Sequence, residues 1–217
     1  MHIPDGFLDP WVAGLLWLCA GAAIGIAVRR ARGELGDERT PLLGVVAAGI
    51  FAAQLLNWPI PGGTSAHFVG GAFAGILLGP SLGVLAMTAV VTIQALVFGD
   101  GGIVALGGNL FAVAVVDVWV GYAAFRGLRR VHGAGAAFVA GWAGITASAL
   151  AVGVGVGLSS AFAYELGTTV SIMVGGHAVL GLVEGGITAA VYGYVADARP
   201  DLVLGRGGDS PSPEVGV

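Results

Sequence analysis

Lysine is absent from the 217-residue chain, and charged residues of any kind are few. The basic residues are nine arginines, the acidic residues number thirteen, and charged residues make up 10% of the chain. A phosphate-binding loop of the Walker A type requires a lysine, so this loop is excluded. The H-E-x-x-H sequence of zinc peptidases does not occur either. We therefore expect neither ATP hydrolysis nor enzyme activity, and energy for any transport would have to come from other subunits.

Cysteine is limited to Cys19, which excludes a disulfide framework. This residue lies inside an apolar run, where a free cysteine behaves as a small hydrophobic side chain. No positively charged segment precedes the first apolar run, as it would in a secretory signal. The opening residues therefore need another explanation.

Apolar residues are abundant: 56% of the chain is hydrophobic and the mean hydropathy is +0.90. A soluble domain would have about 25% charged residues. The forty glycines have no three-residue period, which excludes collagen, and they fit the close helix contacts of membrane bundles. The composition predicts an all-α, polytopic helix bundle in the cell (inner) membrane, with the lipid bilayer as its surroundings and no nucleic acid partner.

Apolar runs predict seven transmembrane helices within a single domain, 1–196, followed by a disordered cytoplasmic tail, 197–217. The third segment is short, which points to a site or cavity rather than a plain lipid-facing span. The tail is rich in Gly, Pro and Ser. The predicted segments are roughly 10–28, 41–57, 65–79, 81–98, 103–125, 135–158 and 168–195.

Arginine positions predict the orientation. With seven spans every arginine falls on one side, which the positive-inside rule makes the cytoplasm. The amino terminus is then outside and the carboxyl terminus inside. Merging the third and fourth segments would divide the arginines between the two faces. They are Arg29, Arg30, Arg32 and Arg39 after the first segment, Arg126, Arg129 and Arg130 after the fifth, and Arg199 and Arg206 after the seventh.

The first two residues can form a metal chelate. The Met1 amine and the His2 backbone nitrogen close one ring with a metal, and the His2 imidazole Nδ1 closes a second. The tail 1–9 could span roughly 25 Å, at about 3.3 Å per residue, and so reach back into the bundle. His67 could then supply a fourth nitrogen. Square-planar nitrogen coordination favours Ni(II) or Cu(II) over Zn(II), although both histidines would also fit structural roles.

Four polar residues could support such a site. A metal-binding imidazole usually donates a hydrogen bond that fixes its ring. Thr64 and Ser65 could provide it, or could cap the third helix at its amino end. Gln94 and Asn109 flank the "FGDGG" loop, and because polar groups in membrane helices tend to face the interior, they are predicted to line the site.

Three ionisable residues lie deeper in the predicted spans. His177 and Glu184 are seven apart and share one helical face. We expect them to lock helices together, although a buried ionisable pair could also be functional. His177 is expected near mid-membrane, too deep to bind the metal. Asp117, in the fifth segment, is predicted to be either an interhelical anchor or part of a path for ions.

Four blocks of the sequence resemble one family: "MHIPDGFL", "GGTSAHFVGGAFAGILLGP", "QALVFGDGGIVALGGNLF" and "GGHAVLGLVEGGITAAV". They are similar to the cobalt/nickel substrate-binding components (CbiM/NikM) of energy-coupling factor transporters. The resemblance runs from residue 1 to about 195. It implies Ni(II) or Co(II) as transported substrate without an organic cofactor, bound by Met1, His2 and His67. Ala112 and Val113 depart from the family pattern, which leaves the choice between nickel and cobalt open.

The resemblance also implies partners: a transmembrane coupling subunit, ATPase subunits and, in some members, a small accessory membrane subunit. Two alternatives follow from the residues themselves. A self-sufficient metal permease would need carboxylates in line through the bundle, and only Asp117 and Glu184 are available. An intramembrane enzyme would use His177 and Glu184, but no nucleophile stands at motif spacing from them.

Overall fold

The computed structural model describes residues 1–36 and 39–203, and these form a helical bundle with one small hairpin. The long helices are α1 (Pro10–Ala31), α2 (Arg39–Gln54), α4 (Pro80–Val97), α5 (Leu106–Leu128), α6 (Gly133–Gly157) and α7 (Leu166–Ala198), with the short α3 (Gly71–Leu78) between α2 and α4. Strands β1 (Asn57–Pro59) and β2 (Ser65–His67) pair antiparallel, with Asn57 opposite His67.

The helices fall where the apolar runs predicted them, but they differ in length. Five of those described, α1, α4, α5, α6 and α7, are long and apolar enough to cross a membrane. Helix α2 has 16 residues and α3 only eight. The structure thus confirms a multi-helix membrane protein, while the count of seven crossings and the orientation stay predictions.

The third predicted segment, 65–79, needs correction. Its first residues, Ser65–His67, are extended and pair with Asn57–Pro59. The helix begins only at Gly71, after Gly70 has taken a left-handed conformation with φ of 76°. Glycine adopts this conformation without strain, so it allows the abrupt change from strand to helix.

The carboxyl-terminal boundary also differs from the prediction. Helix α7 continues to Ala198, and a single 3₁₀ turn, Pro200–Leu202, follows it. The first residues of the predicted tail 197–217 are therefore ordered. Residues 204–217 lie outside the described part of the chain.

Helices α6 and α7 pack antiparallel along their length, and glycines form the contact. A Cβ on Gly141 would lie 3.1 Å from the Cα of Gly185, and one on Gly153 would lie 3.2 Å from the Cα of Val170. Because apolar side chains gain little from leaving lipid, membrane helices associate through such close backbone approach. The pair forms the frame against which the shorter elements lie.

Helix α3 is buried in the centre of the bundle between α4, α5 and α6. Its residues from Gly71 to Leu78 are buried, with Phe73 partly exposed. Such a short helix leaves backbone amides at its start to be satisfied by other groups. Its amino end is joined to His67, the last residue of β2, by residues 68–70, so the position of α3 constrains a predicted metal ligand.

Two adjacent glycines of α7 test this packing. A Cβ on Gly185 would lie 2.6 Å from the carbonyl oxygen of Phe138, whereas nothing lies within 4 Å of one on Gly186. We expect Gly185→Ala to destabilise the protein by about 1–3 kcal/mol through overpacking. Gly186→Ala should be neutral or stabilising, by up to about 1 kcal/mol. Thermal unfolding in detergent, followed by circular dichroism, measures both, and equal shifts would contradict the packing described.

Candidate metal site

The amino-terminal residues are inserted into the bundle. Met1 is fully buried, Ile3 is 1% exposed and His2 is 3% exposed. Asp5, in contrast, lies at the surface, and Gly6 takes a φ of 88° as the chain turns toward α1. The tail therefore folds back so that its first three residues, not its middle, reach the interior.

Asn109 clamps the inserted segment at Ile3. Its side-chain oxygen accepts the Ile3 N–H at 2.7 Å, and its amide nitrogen donates to the Ile3 carbonyl at 3.1 Å. The same carbonyl accepts a second hydrogen bond from the Gly102 N–H at 2.9 Å. Asn109 is buried, as predicted from the sequence, but it binds the backbone of the tail rather than an imidazole.

Two carboxylates anchor the outer part of the tail. Asp5 accepts hydrogen bonds from the backbone N–H groups of Ile103, Val104 and Ala105, at the start of α5. Asp9 accepts hydrogen bonds from the backbone N–H groups of Ser160 and Ala161, in the loop between α6 and α7. These hydrogen bonds span about a hundred residues or more, and no sequence signal predicted them.

The rings of His2 and His67 stack, with centroids 4.5 Å apart and an angle of 20° between planes. Nδ1 of His67 donates to the carbonyl oxygen of its neighbour Phe68 at 2.6 Å. This bond fixes the tautomer, so the lone pair of His67 lies on Nε2. That nitrogen is buried and has no hydrogen-bond partner among the described residues. A ligating imidazole has this arrangement.

The Met1 amine lies beside the two rings. It is 2.6 Å from Oγ of Ser65 and fully buried. Burial lowers the pKa of the amine well below its ordinary value, and the nearby Asp100 only partly opposes this. Burial thus favours the neutral form of the amine, whose lone pair can bind a metal.

Asp100, in the loop between α4 and α5, lies at the mouth of the site. Its Oδ1 is 3.2 Å from Nδ1 of His2. The hydrogen bond with His2 lowers the pKa of Asp100, while burial lowers the pKa of His2. No motif or spacing singles out Asp100 as a neighbour of His2, although it stands in the "FGDGG" loop between the predicted residues Gln94 and Asn109.

The remaining predicted polar residues differ in what their side chains contact. Gln94 is fully buried next to His2, and neither atom of its side-chain amide has a partner within the described chain. Ser65 holds the Met1 amine. The hydroxyl of Thr64 makes a long contact, 3.9 Å, with the sulfur of Met173. The alternative that Thr64 and Ser65 cap the third helix is wrong, because that helix begins six residues after Ser65, at Gly71.

The deeper ionisable residues do not form the predicted pair. Glu184 accepts hydrogen bonds from the backbone at the start of α3, and Asp117 accepts one from Gly71. His177 instead bonds the carbonyl of Met173 through Nδ1 at 2.8 Å. It lies beside the backbone of Ser65, within electrostatic reach of the Met1 amine.

An open cavity of about 490 Å³ leads from the surface to His2. Its lining is partly polar and includes Asp5, Asn57, Ser65 and Asp100. Among the residues described, no three His, Cys, Asp or Glu side chains cluster closely enough to hold a metal ion.

Comparisons with known proteins agree with this description. A family model described as "Cobalt uptake substrate-specific transmembrane region" matches residues 2–202. A putative metal transport protein of Haloquadratum walsbyi is 78% identical over 204 residues, which cover 94% of each chain. A putative fused nickel transport protein of Archaeoglobus fulgidus is 56% identical, over 94% of this chain and 68% of its own length.

A cobalt transport protein of Geobacter sulfurreducens is 34% identical, over 95% of this chain and 62% of its own length. Among solved structures, a truncated transition metal transporter matches with a TM-score of 0.87 and 32% identity, over 91% of this chain and 99% of that chain. The fold and the sequence therefore point to the same group of proteins.

Removing the Asn109 side chain tests how the tail is held. Asn109→Ala leaves the buried Ile3 N–H without its partner, which costs about 1–3 kcal/mol. We expect residues 1–6 to exchange their amide hydrogens faster, as measured by hydrogen–deuterium exchange and mass spectrometry. Thr88→Val is a matched control, because Thr88 bonds only Val84 of its own helix. Unchanged exchange in Asn109→Ala would show that the clamp does not hold the tail.

Proposed function

The chain belongs to the family of cobalt-uptake substrate-specific transmembrane proteins, and we propose that it binds Ni(II) or Co(II) through its amino-terminal nitrogens for ATP-driven uptake. It is a membrane component for cobalt or nickel transport, in a family of transporter components rather than enzymes. The metal is its substrate, and the proposed ligands are Met1, His2 and His67.

One observation carries the proposed ligand set: the Met1 amine and two stacked imidazoles are buried together. A buried, unpaired polar atom costs free energy unless a partner compensates for it. Nε2 of His67 has no partner among the described residues, and burial lowers the pKa of the Met1 amine. A metal bound to both nitrogens would satisfy them.

The coordination geometry follows from the covalent structure of the tail. The Met1 amine, the His2 backbone nitrogen and His2 Nδ1 occupy three corners of a square, and Nε2 of His67 takes the fourth. In the structure Nδ1 of His2 lies 3.2 Å from Oδ1 of Asp100. A metal bound to this nitrogen would therefore displace the carboxylate from His2. Asp100 then lies at the mouth of the site, where its charge attracts an approaching cation.

The transport direction follows from the proposed topology. We infer seven crossings with the amino terminus outside, so that the cavity above His2 opens to the exterior. Basic residues support this: Arg29 and Arg30 end α1, Arg126 ends α5 and Arg199 follows α7. All would face the cytoplasm under the positive-inside rule.

Energy would come from other subunits. The chain has no lysine and hence no Walker A loop. A transmembrane coupling subunit and ATPase subunits of the energy-coupling factor type are the proposed partners, and the resemblance leaves open whether a small accessory membrane subunit joins them. The relatives named as nickel and cobalt transport proteins fit such a role.

The alternative functions lose support from the geometry. A self-sufficient permease would need Asp117 and Glu184 to face a path for ions. Both accept hydrogen bonds from the backbone around Gly70 and Gly71 instead. An intramembrane enzyme would need His177 and Glu184 to act together, and each is bonded to a different part of the chain.

Calorimetry on detergent-purified protein tests the proposal. Ni(II) and Co(II) are titrated into protein that starts at Met1 and into a variant with Gly-Ser added before Met1. The added residues turn the Met1 amine into an amide, which cannot chelate in the same way, while His2 and His67 stay. We expect affinity to fall by at least about 100-fold, since a ligand and one chelate ring are lost.

The same dipeptide added after Val217 is the control and should leave affinity unchanged. Intact-mass measurement establishes which protein carries a free Met1 amine. Equal affinity in the amino-terminally extended and unextended proteins would exclude the amine as a ligand and overturn the proposed site.

A further inference from the structure

Glu184 holds the backbone that follows His67. Its carboxylate accepts the N–H of Val69 at 2.9 Å and the N–H of Gly70 at 2.8 Å. Glu184 lies on α7, more than a hundred residues away along the chain, and is 3% exposed. One buried side chain thus fixes two consecutive amides of the segment 68–71, which joins β2 to α3.

Two further helices hold the same segment. Asp117 of α5 accepts the N–H of Gly71 at 2.8 Å. Gln54 of α2 donates its side-chain amide to the carbonyl of Val69. Both side chains are fully buried. Segment 68–71 is therefore fixed by three polar side chains from three different helices.

Burying these polar side chains costs free energy, and packing alone does not explain why they are there. Two carboxylates buried in a membrane bundle are expensive, and such groups tend to serve a function. Gly144 leaves room for Asp117: a Cβ there would collide with the carboxylate. Gly70 takes a left-handed conformation, and a Cβ on it would lie 2.9 Å from the Ile50 side chain. The conformation of the segment is thus determined from several sides.

Segment 68–71 also orients the imidazole of His67. Nδ1 of this ring donates to the carbonyl oxygen of Phe68, the first residue of the segment. Any rotation of the Phe68–Val69 peptide would move that carbonyl and turn Nε2 away from the stacked His2 ring. The groups that hold the segment therefore also determine where Nε2 points.

We propose that Glu184, Asp117 and Gln54 are positioning residues for His67. They act through segment 68–71 and do not touch the metal. This inference rests on the proposed function, in which His67 is a ligand. It assigns the polar residues of α2, α5 and α7 one shared task, and it links the metal site to three helices of the bundle.

A double-mutant cycle tests the proposal, with Ni(II) affinity as the readout. Glu184→Gln keeps one acceptor oxygen but turns an NH₂ group toward a backbone N–H. We expect about a 10- to 100-fold loss of affinity, as for other groups that orient a metal ligand. In a His67→Ala background the same substitution should change the residual affinity by less than about twofold, since no ring remains to be positioned.

Controls separate positioning from general damage. Ser148→Ala removes a different buried hydrogen bond, from Ser148 to the carbonyl of Ala112, and should leave affinity unchanged. Thermal unfolding of each variant reports on folding. If Glu184→Gln does not fold, Gln54→Met enters the same cycle, because it removes the donor to Val69 without adding a charge.

Three outcomes would count against the positioning role of Glu184. Equal losses in the native and His67→Ala backgrounds would show general damage and overturn the positioning role. Unchanged affinity in Glu184→Gln, together with a strong loss in His67→Ala, would also overturn it while leaving the proposed function intact. Unchanged affinity in His67→Ala would reject the proposed ligand set, and the positioning role with it.

Discussion

The burial of the Met1 amine is the constraint on which the rest of this site depends. An ammonium group in the interior of a bundle is unfavourable, so burial lowers the pKa of the Met1 amine and favours its neutral form. Fixing the tail also costs about 1–2 kcal/mol per residue in backbone entropy. Hydrogen bonds offset this cost. Asn109 binds the backbone of Ile3, while Asp5 and Asp9 of the tail accept hydrogen bonds from the backbone of neighbouring loops. These hydrogen bonds hold the amino end inside the bundle.

The bundle supplies the opposite side of the site by bringing irregular backbone into its interior. Non-helical backbone at membrane depth is tolerated only where protein groups satisfy its hydrogen bonds. Segment 68–71 meets this requirement through Gln54, Asp117 and Glu184. Glycines on α6 and α7 then let the surrounding helices close around it. The same polar groups that make this backbone tolerable in the bundle also orient His67, so stability and the geometry of the site are coupled.

Periodic and covalent features could be predicted from the sequence, whereas long-range hydrogen bonds could not. Apolar runs located the helices, and the covalent structure of an amine next to His2 was enough to indicate a chelate. The extended conformation of Ser65–His67 was missed because an apolar run conceals a short strand. Glu184 and Asp117 were expected to hold helices together, and each does join its helix to the start of α3, but nothing local shows which distant backbone N–H groups they accept. Asp100 was missed for the same reason: its partner, His2, is distant in sequence.

The coordination sphere is the most direct test of this account. X-ray absorption at the nickel edge of the Ni(II)-loaded protein reports both geometry and ligand type. The account predicts the pre-edge feature of four-coordinate planar Ni(II), a first shell of nitrogens and outer-shell scattering from two imidazoles, those of His2 and His67. A six-coordinate spectrum dominated by oxygen ligands, or a first shell containing sulfur, would contradict it.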